Sequence, residues 1–157
     1  SSPWNTYDLL FHFLELNEIP QGPLLLRDFG MDESKLGASD HMSHKYKEIE
    51  NILITYPQLK FILIGDSGQQ DAAIYGEVVK NHPGRVLAIY IRDVNIEKHT
   101  KKVVTIFDEF KDSKEVEMVL VKETIEAAKH AAQCGYIFTE ELPEIAKETE
   151  MDAAGDE

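Results

Sequence analysis

The fold is decided by one short stretch of sequence, Lys60-Phe-Ile-Leu-Ile-Gly-Asp-Ser-Gly-Gln-Gln-Asp71. Its apolar run, Phe61 to Ile64, predicts a strand of a parallel sheet that is buried on both faces. Asp66 follows this strand, and Asp71 comes where a helical pattern begins. Ligands of open α/β sheets bind at the carboxyl ends of the strands, and two carboxylates there can hold a hard divalent cation.

Helical and strand patterns alternate on both sides of this stretch. A helix is predicted around Tyr7 to Leu14, a strand at Pro23–Asp28 with its core at Leu24–Leu26, a loop over 30–42, and a helix capped by Ser43 that stops at Pro57. After Asp71 the pattern predicts a helix ended by His82-Pro83-Gly84, strands at Val86–Ile91 and Val116–Val121, and helices at Lys98–Phe110 and Thr124–Cys134 with Gly135 as cap.

This alternation predicts an α/β fold, a three-layer, doubly wound parallel sheet with helices on both faces. One folded domain is expected over residues 1–138. Residues 139–157 are rich in acidic and small residues, which predicts an acidic, disordered tail.

The composition excludes several classes of function. Acids outnumber bases 29 to 16, and the formal charge of −13 argues against a nucleic-acid partner and against docking on anionic membranes. No apolar run is long enough for a transmembrane segment. The only cysteine, Cys134, excludes an internal disulfide and predicts a buried helix residue in a reducing, cytoplasmic setting. The sequence leaves the oligomeric state open.

Asp66 and Asp71 are the first candidates for chemistry. Asp71 lies on the same helical stripe as Ile74 and Val78, so its carboxylate is expected to face the sheet. Two converging carboxylates repel each other unless a cation or a proton lies between them. The alternative is that Asp66 caps a turn and Asp71 favours the helix start through the dipole.

Lys45 is expected in the first turn of its helix, at the start of the inward stripe that includes Ile49 and Ile52. A cation there opposes the helix dipole, so Lys45 either meets an anion or extends to solvent. Ser1 and Ser2 are small hydroxyl residues ahead of a helix, where caps are common. The six histidines show no metal-binding spacing.

Several motifs together resemble a known family. They are Ser1-Ser-Pro-Trp-Asn5, Gly22-Pro-Leu-Leu-Leu-Arg-Asp28, His44-Lys45, the stretch from Leu59 to Asp71, and Pro83-Gly-Arg-Val-Leu-Ala-Ile-Tyr-Ile-Arg-Asp93. Over roughly residues 1–138 they resemble the actin-patch-protein type of phosphatidate phosphatase catalytic domain, within the haloacid dehalogenase superfamily.

The resemblance implies Mg²⁺-dependent hydrolysis of a phosphate monoester, with phosphatidate converted to diacylglycerol. It assigns Asp66 and Asp71 to Mg²⁺, Lys45 to the phosphoryl oxygens and Ser1 to a phosphate hydrogen bond. Ser2, Arg27 and Arg92 are candidate substrate contacts. The implied partner is a phosphorylated small molecule or a lipid headgroup.

The sequence departs from the family pattern at the nucleophile. No Asp-x-Asp motif occurs in the 157 residues. The sheet is therefore expected to be incomplete at its N-terminal strands, and the chain to be an inactive fragment of a longer protein. The alternative is a non-catalytic α/β module that binds Mg²⁺ or a phosphorylated ligand.

Overall fold

The computed structural model describes the backbone of residues 6–17, 19–26 and 38–155. Side chains are described over 6–17, 19–26 and 44–149, and at residue 151. The chain divides into two units, Ser1–Pro57 and Gln58–Glu157. The first unit contains the helices α1 (Tyr7–Leu16) and α2 (Ala38–Thr55).

Both helices of the first unit form where their apolar patterns predict helices. The position at which α2 begins differs from the prediction. The helix begins at Ala38, so the loop predicted over 30–42 is wrong for residues 38–42, and Ser43 lies inside the helix. The helix ends at Thr55, ahead of Pro57, because proline disfavours helical geometry in the residue before it.

The strand predicted at Leu24–Leu26 is not a strand in the structure. The amide of Leu26 donates to the carbonyl oxygen of Leu24 at 3.0 Å, so the backbone turns over three residues instead of extending. The prediction relied on apolar composition alone. A strand also needs a neighbouring strand whose backbone forms hydrogen bonds with its N–H and C=O groups. Residues 27 and 28 of the predicted strand lie outside the described residues.

The second unit is an alternation of strands and helices. Its elements are β1 (Phe61–Asp66), α3 (Asp71–Asn81), β2 (Val86–Arg92), α4 (Glu97–Asp108), β3 (Glu117–Val121), α5 (Thr124–Gln133), a 3₁₀ turn at Thr139–Glu141 and α6 (Leu142–Gly155). Gly135 follows α5 with a φ of 73°, the left-handed geometry expected of a residue that ends a helix.

The three strands form a parallel sheet in the order β1-β2-β3, with helices on both faces. Successive β2 residues from Ala88 to Ile91 are all buried, which requires cover on both faces. Ala88 and Tyr90 pack against Ala131 of α5. Right-handed crossovers place α3 and α4 on the opposite face. The predicted α/β class and parallel sheet are confirmed.

β1 is the edge strand of the described sheet, and the prediction that it is buried on both faces is wrong. Its residues alternate in burial, and Ile64 is 72% exposed. The reason is that α3 covers only one of its faces, whereas β2 lies between two strands and two helical layers. The strand that is buried on both faces is β2, over Ala88 to Ile91.

The segment for which the sequence predicts disorder, 139–157, contains helix α6. This helix packs against α5, which gives part of the acidic segment a partner that composition could not indicate. The described part of α6 is helical, and the disorder expected of residues 139–157 stays a prediction. The domain boundary at residue 138 stays a prediction.

Candidate functional site

The turn between β1 and α3 places Asp66 at the carboxyl edge of the sheet. Its Oδ1 accepts hydrogen bonds from the amides of Gly68 at 2.8 Å and Gln69 at 3.0 Å. The turn-capping role foreseen for Asp66 therefore exists. It uses one carboxylate oxygen, and Oδ2 accepts no hydrogen bond from the described part of the chain.

Asp71 lies beside Asp66 and faces inward, as its helical stripe predicts. It is only 3% exposed, and its Oδ2 accepts a hydrogen bond from the amide of Asp66 at 3.3 Å. It is also the first residue of α3, where the helix dipole favours a negative charge. The structure thus places the carboxylate of Asp71 against the backbone of Asp66.

Gly65 allows this close approach. A Cβ built at residue 65 would collide with the Cβ and the carboxylate of Asp71. Because Gly65 has no side chain, the side chain of Asp71 can occupy the space beside the Cα of Gly65. Because the clashing atoms belong to a buried side chain, they cannot move aside freely.

Tyr75 borders the same pair of carboxylates one helical turn after Asp71. Its hydroxyl donates to the carbonyl oxygen of Ile64 at 2.8 Å. Burial, reinforced by the charges of Asp71 and then Asp66, raises the pKa of Tyr75. The phenol therefore stays protonated and ties α3 to the end of β1.

A hydrogen-bond network joins this turn to the loop after β2. Ser67 is 2% exposed; its hydroxyl accepts from the amide of Val94 at 3.0 Å and lies 3.4 Å from Asp93 Oδ1, to which it donates. The same Oδ1 accepts from Thr100 Oγ1 at 2.8 Å and from the amide of Asn95 at 2.9 Å. Ser67 therefore fixes the backbone directly after Asp66.

An open cavity of about 630 Å³ lies on this edge of the sheet. It includes the ends of all three strands and contains both acidic and basic side chains. Its lining residues include Ile64, Asp66, Arg92, Asp93 and Lys122.

The donor set fits Mg²⁺. Asp66 and Asp71 supply hard carboxylate oxygens and no nitrogen or sulfur, and Mg²⁺ is commonly held by one or two carboxylates together with waters and phosphate oxygens. Across the described ranges, no group of three His, Cys, Asp or Glu side chains forms a metal cluster. A cation here would therefore have at most two ligands from the described acidic, histidine and cysteine side chains.

The structure describes only some of the other predicted site residues. Ser1, Ser2 and Arg27 lie outside the described residues. Lys45 is half-buried on α2, in the first unit. Because α2 begins at Ala38, Lys45 does not lie in the first turn, and the predicted conflict with the helix dipole is wrong. Arg92 ends β2, is exposed and lines the cavity.

Sequence reasoning missed Ser67 and Lys122 as members of this edge. Lys122 directly follows β3, and the rule that identified Asp66, a polar residue after an apolar strand, would have found it. Ser67 had no such signal, because its role depends on a hydrogen bond to a residue 26 positions away.

Cys134 is exposed, so its predicted burial is wrong. It caps the end of α5 rather than facing the sheet, and its Sγ lies 3.8 Å from the ring nitrogens of His130. Tyr90 makes the closer contact to that ring, at 2.9 Å from Nδ1.

Asp93 should make the stability of the fold depend on acidic pH. The hydrogen bond from Thr100, opposed by burial and aided by Asn95 and Ser67, lowers the pKa of Asp93 from its usual 3.8. A lowered pKa means that its stabilisation is complete above the unfolded-state pKa and is lost as pH falls through the folded-state value. In urea unfolding with EDTA, the advantage of wild type over Thr100→Val should shrink from pH 7 to pH 3.

The control for this prediction is Thr105→Val. Thr105 lies on the same helix, and its hydroxyl donates to the carbonyl oxygen of Lys101 at 2.9 Å, its one hydrogen bond to a described residue. Its effect should not change between the two pH values. An advantage of Thr100 that is the same at pH 7 and pH 3 would contradict the assignment to ionised Asp93.

Comparison with known proteins identifies the class. Residues 1–93 match the family described as the catalytic domain of phosphatidate phosphatase APP1. This is more than half of the chain and includes Asp66, Asp71 and Arg92. The chain therefore belongs to the phosphatidate phosphatase APP1 catalytic domain family.

Two curated fungal relatives are similar to part of this chain. Phosphatidate phosphatase APP1 of Saccharomyces cerevisiae is 36% identical over 92 residues, which is 59% of this chain and 16% of the yeast protein. An uncharacterized protein of Schizosaccharomyces pombe is 31% identical over 96 residues, 60% of this chain and 16% of that protein. The chain thus spans about a sixth of the length of each. No solved structure matches significantly.

No helix within the described ranges has both the length and the apolar character needed to cross a membrane.

Proposed function

We propose that this chain contributes the metal-binding part of a Mg²⁺-dependent phosphatidate phosphatase site of the haloacid dehalogenase type. The observation that carries the proposal is the hydrogen bond from the amide of Asp66 to the carboxylate of Asp71 at the carboxyl end of β1, within the region that matches the family. The substrate class is a phosphate monoester, with the phosphatidate headgroup as the family's example.

The described residues would have distinct tasks in such a site. Asp71 is held by α3 and the amide of Asp66, and Asp66 is held by the turn amides, so both carboxylates are positioned before a cation arrives. When bound, Mg²⁺ supplies positive charge that neutralises phosphoryl oxygens. Tyr75 and Ser67 hold the two ends of the turn.

Other parts of the proposed mechanism come from the family resemblance. It assigns Lys45 to the phosphoryl oxygens and Ser1 to a phosphate hydrogen bond, and both roles stay predictions. The 157 residues contain no Asp-x-Asp nucleophile motif. We therefore expect them to bind Mg²⁺ and phosphate without completing turnover alone.

A second candidate function is an α/β binding domain in which Asp66 and Asp71 serve only the fold. The capping bonds of Asp66 and the place of Asp71 in the first turn of α3 favour it. The two candidates differ in what the second oxygen of Asp66 does, and metal binding separates them.

Asp66→Asn is expected to weaken Mg²⁺ binding about tenfold or more, because it removes a charged ligand. The amide oxygen can still accept from Gly68 and Gln69, so the unfolding midpoint should change little. Isothermal titration with Mg²⁺ and urea unfolding measure the two quantities. Asp112→Asn, an exposed acid in the loop before β3, is the matched control.

Equal Mg²⁺ affinity in Asp66→Asn and Asp112→Asn would support the structural role and contradict the metal site. A large loss of stability in Asp66→Asn would show that the capping bonds need the charge. Metal affinity of that variant would then be compared with Asp71→Asn at low temperature, where both proteins are folded.

A further inference from the structure

Two basic side chains line the cavity that contains Asp66. Arg92 is the last residue of β2, and Lys122 directly follows β3. Both are exposed. The cavity therefore has the carboxylate of Asp66 at its β1 side and cations at the ends of the two following strands.

The sheet fixes the spacing of these groups. Asp66 pairs with Arg92 in the β1–β2 register, and Arg92 pairs with Val121 in the β2–β3 register. Neighbouring strands lie about 4.8 Å apart, so the Arg92 backbone lies about one such step from Asp66 and that of Val121 about two steps. An anion bound beside Asp66 is within reach of both long basic side chains.

The backbone at each strand end is tied down. The carbonyl oxygen of Arg92 accepts from the amide of Ser67 at 2.8 Å. The amide of Lys122 donates to Glu126 Oε2 at 2.7 Å, and this carboxylate belongs to the capping box of α5. The two cations therefore extend from ordered positions and not from a long loop.

Neither cation is neutralised by an ion pair with a described residue. Lys80 and Lys101, by contrast, each pair with a glutamate at 2.6 Å. Asp93 also lines the cavity, but its Oδ1 is engaged by Ser67, Asn95 and Thr100. The charge of Lys122 acts on Asp93 and Glu126, whose pKa values it helps to lower, but its ammonium group forms no direct ion pair with a described residue.

We propose that Arg92 and Lys122 contact the phosphoryl oxygens of a phosphate monoester bound next to Asp66. The proposal rests on the function proposed above and assigns its anion-binding side. Basic side chains bind phosphate through charge-assisted hydrogen bonds, with arginine able to donate two at once. The pair makes the cavity select a dianionic phosphate over a neutral ligand.

Lys122 lies beyond the region that matches the family, which ends at residue 93. One of the two phosphate contacts therefore comes from the matched region and the other from β3 and α5. The contact by Lys122 is a property of this chain and not of the matched family region.

The test is titration of the full chain with inorganic phosphate in the presence of Mg²⁺. Lys122→Ala should weaken phosphate binding about fivefold to tenfold, through loss of one charge-assisted contact, and Lys122→Arg should restore most of it. Lys114→Ala is the matched control, since Lys114 lines a separate cavity at the amino end of the sheet. It should leave phosphate binding unchanged.

A second readout excludes a general structural effect. Removing a cation near Asp66 should leave Mg²⁺ affinity in the absence of phosphate equal or slightly higher. Misfolding would lower both affinities. Loss of Mg²⁺ binding in Lys122→Ala, or phosphate binding equal to wild type, would overturn the proposal, as would a wild-type chain that binds no phosphate.

The outcomes also separate this proposal from the proposed function. If the chain bound phosphate in a Lys122-dependent way but did not bind Mg²⁺, the proposed metal site would be contradicted and the proposed phosphate contact supported. If Mg²⁺ binding depended on Asp66 but phosphate binding did not depend on Lys122, the metal site would be supported and the phosphate contact contradicted.

Vesicles identify the source of the phosphate. Phosphatidylcholine vesicles with phosphatidate are compared with vesicles of equal charge that contain phosphatidylserine, whose phosphate is a diester. Lys122-dependent binding of phosphatidate vesicles supports a lipid headgroup, and Lys122-dependent binding of inorganic phosphate alone supports a soluble ester. The proposal is contradicted if both vesicle types bind equally and neither vesicle binding nor phosphate binding depends on Lys122.

Discussion

Gly65→Ala is expected to destabilise the second unit by about 1–3 kcal/mol, the usual cost of forcing extra volume into a packed position. The added methyl would collide with the Cβ and carboxylate of Asp71, a side chain that is 3% exposed. Relief requires Asp71 to move away from Asp66. Mg²⁺ affinity should therefore fall at least about tenfold, as when the support of a metal ligand is lost.

Urea unfolding and Mg²⁺ titration measure the two effects. Gly22→Ala is the matched control, because a Cβ at residue 22 meets nothing within 4 Å. It should change neither quantity. If Gly65→Ala bound Mg²⁺ as wild type does, the close packing of Asp71 against Gly65 would have no role in metal binding.

Ser67→Ala is expected to have the second largest effect. The substitution leaves the amide of Val94 without its 3.0 Å acceptor and removes the donor to Asp93. Losing one partner of a buried hydrogen bond costs about 1–3 kcal/mol. Since residue 67 follows Asp66 directly, Mg²⁺ affinity should fall as well, although no metal ligand has been removed.

The comparison for Ser67 is Ser113→Ala. Ser113 also accepts a backbone amide, that of Glu115 at 3.2 Å, but in an exposed loop. Thermal unfolding should show little change for Ser113→Ala and a clear decrease for Ser67→Ala. Similar decreases in both variants would mean that the network between the two loops adds no stability.

The carboxylate pair could be predicted from sequence because it depends on local pattern. An apolar run predicts β1, and the acids after it must lie at its carboxyl end. The helical stripe correctly predicted that Asp71 faces inward. These features follow from the spacing of apolar residues within a segment of about ten residues.

Errors arose where the outcome depends on a distant partner. The strand expected at Leu24–Leu26 had apolar composition but no paired neighbour among the described residues. β1 was expected to be buried on both faces, and its exposure follows from its position at the sheet edge. Helix α6 was missed because its support comes from α5. Composition does not report such neighbours.

The hydrogen bonds that continue the sheet beyond the strand ends also provide a way to monitor the site without a ligand. The amide of Ser67 donates to Arg92 at 2.8 Å, and that of Asp93 donates to Val121 at 2.7 Å. Amides held in this way exchange with solvent deuterium only when the local structure opens. Slow exchange at residues 67 and 93 would therefore report an assembled site, and faster exchange there would reveal its opening before the sheet itself unfolds.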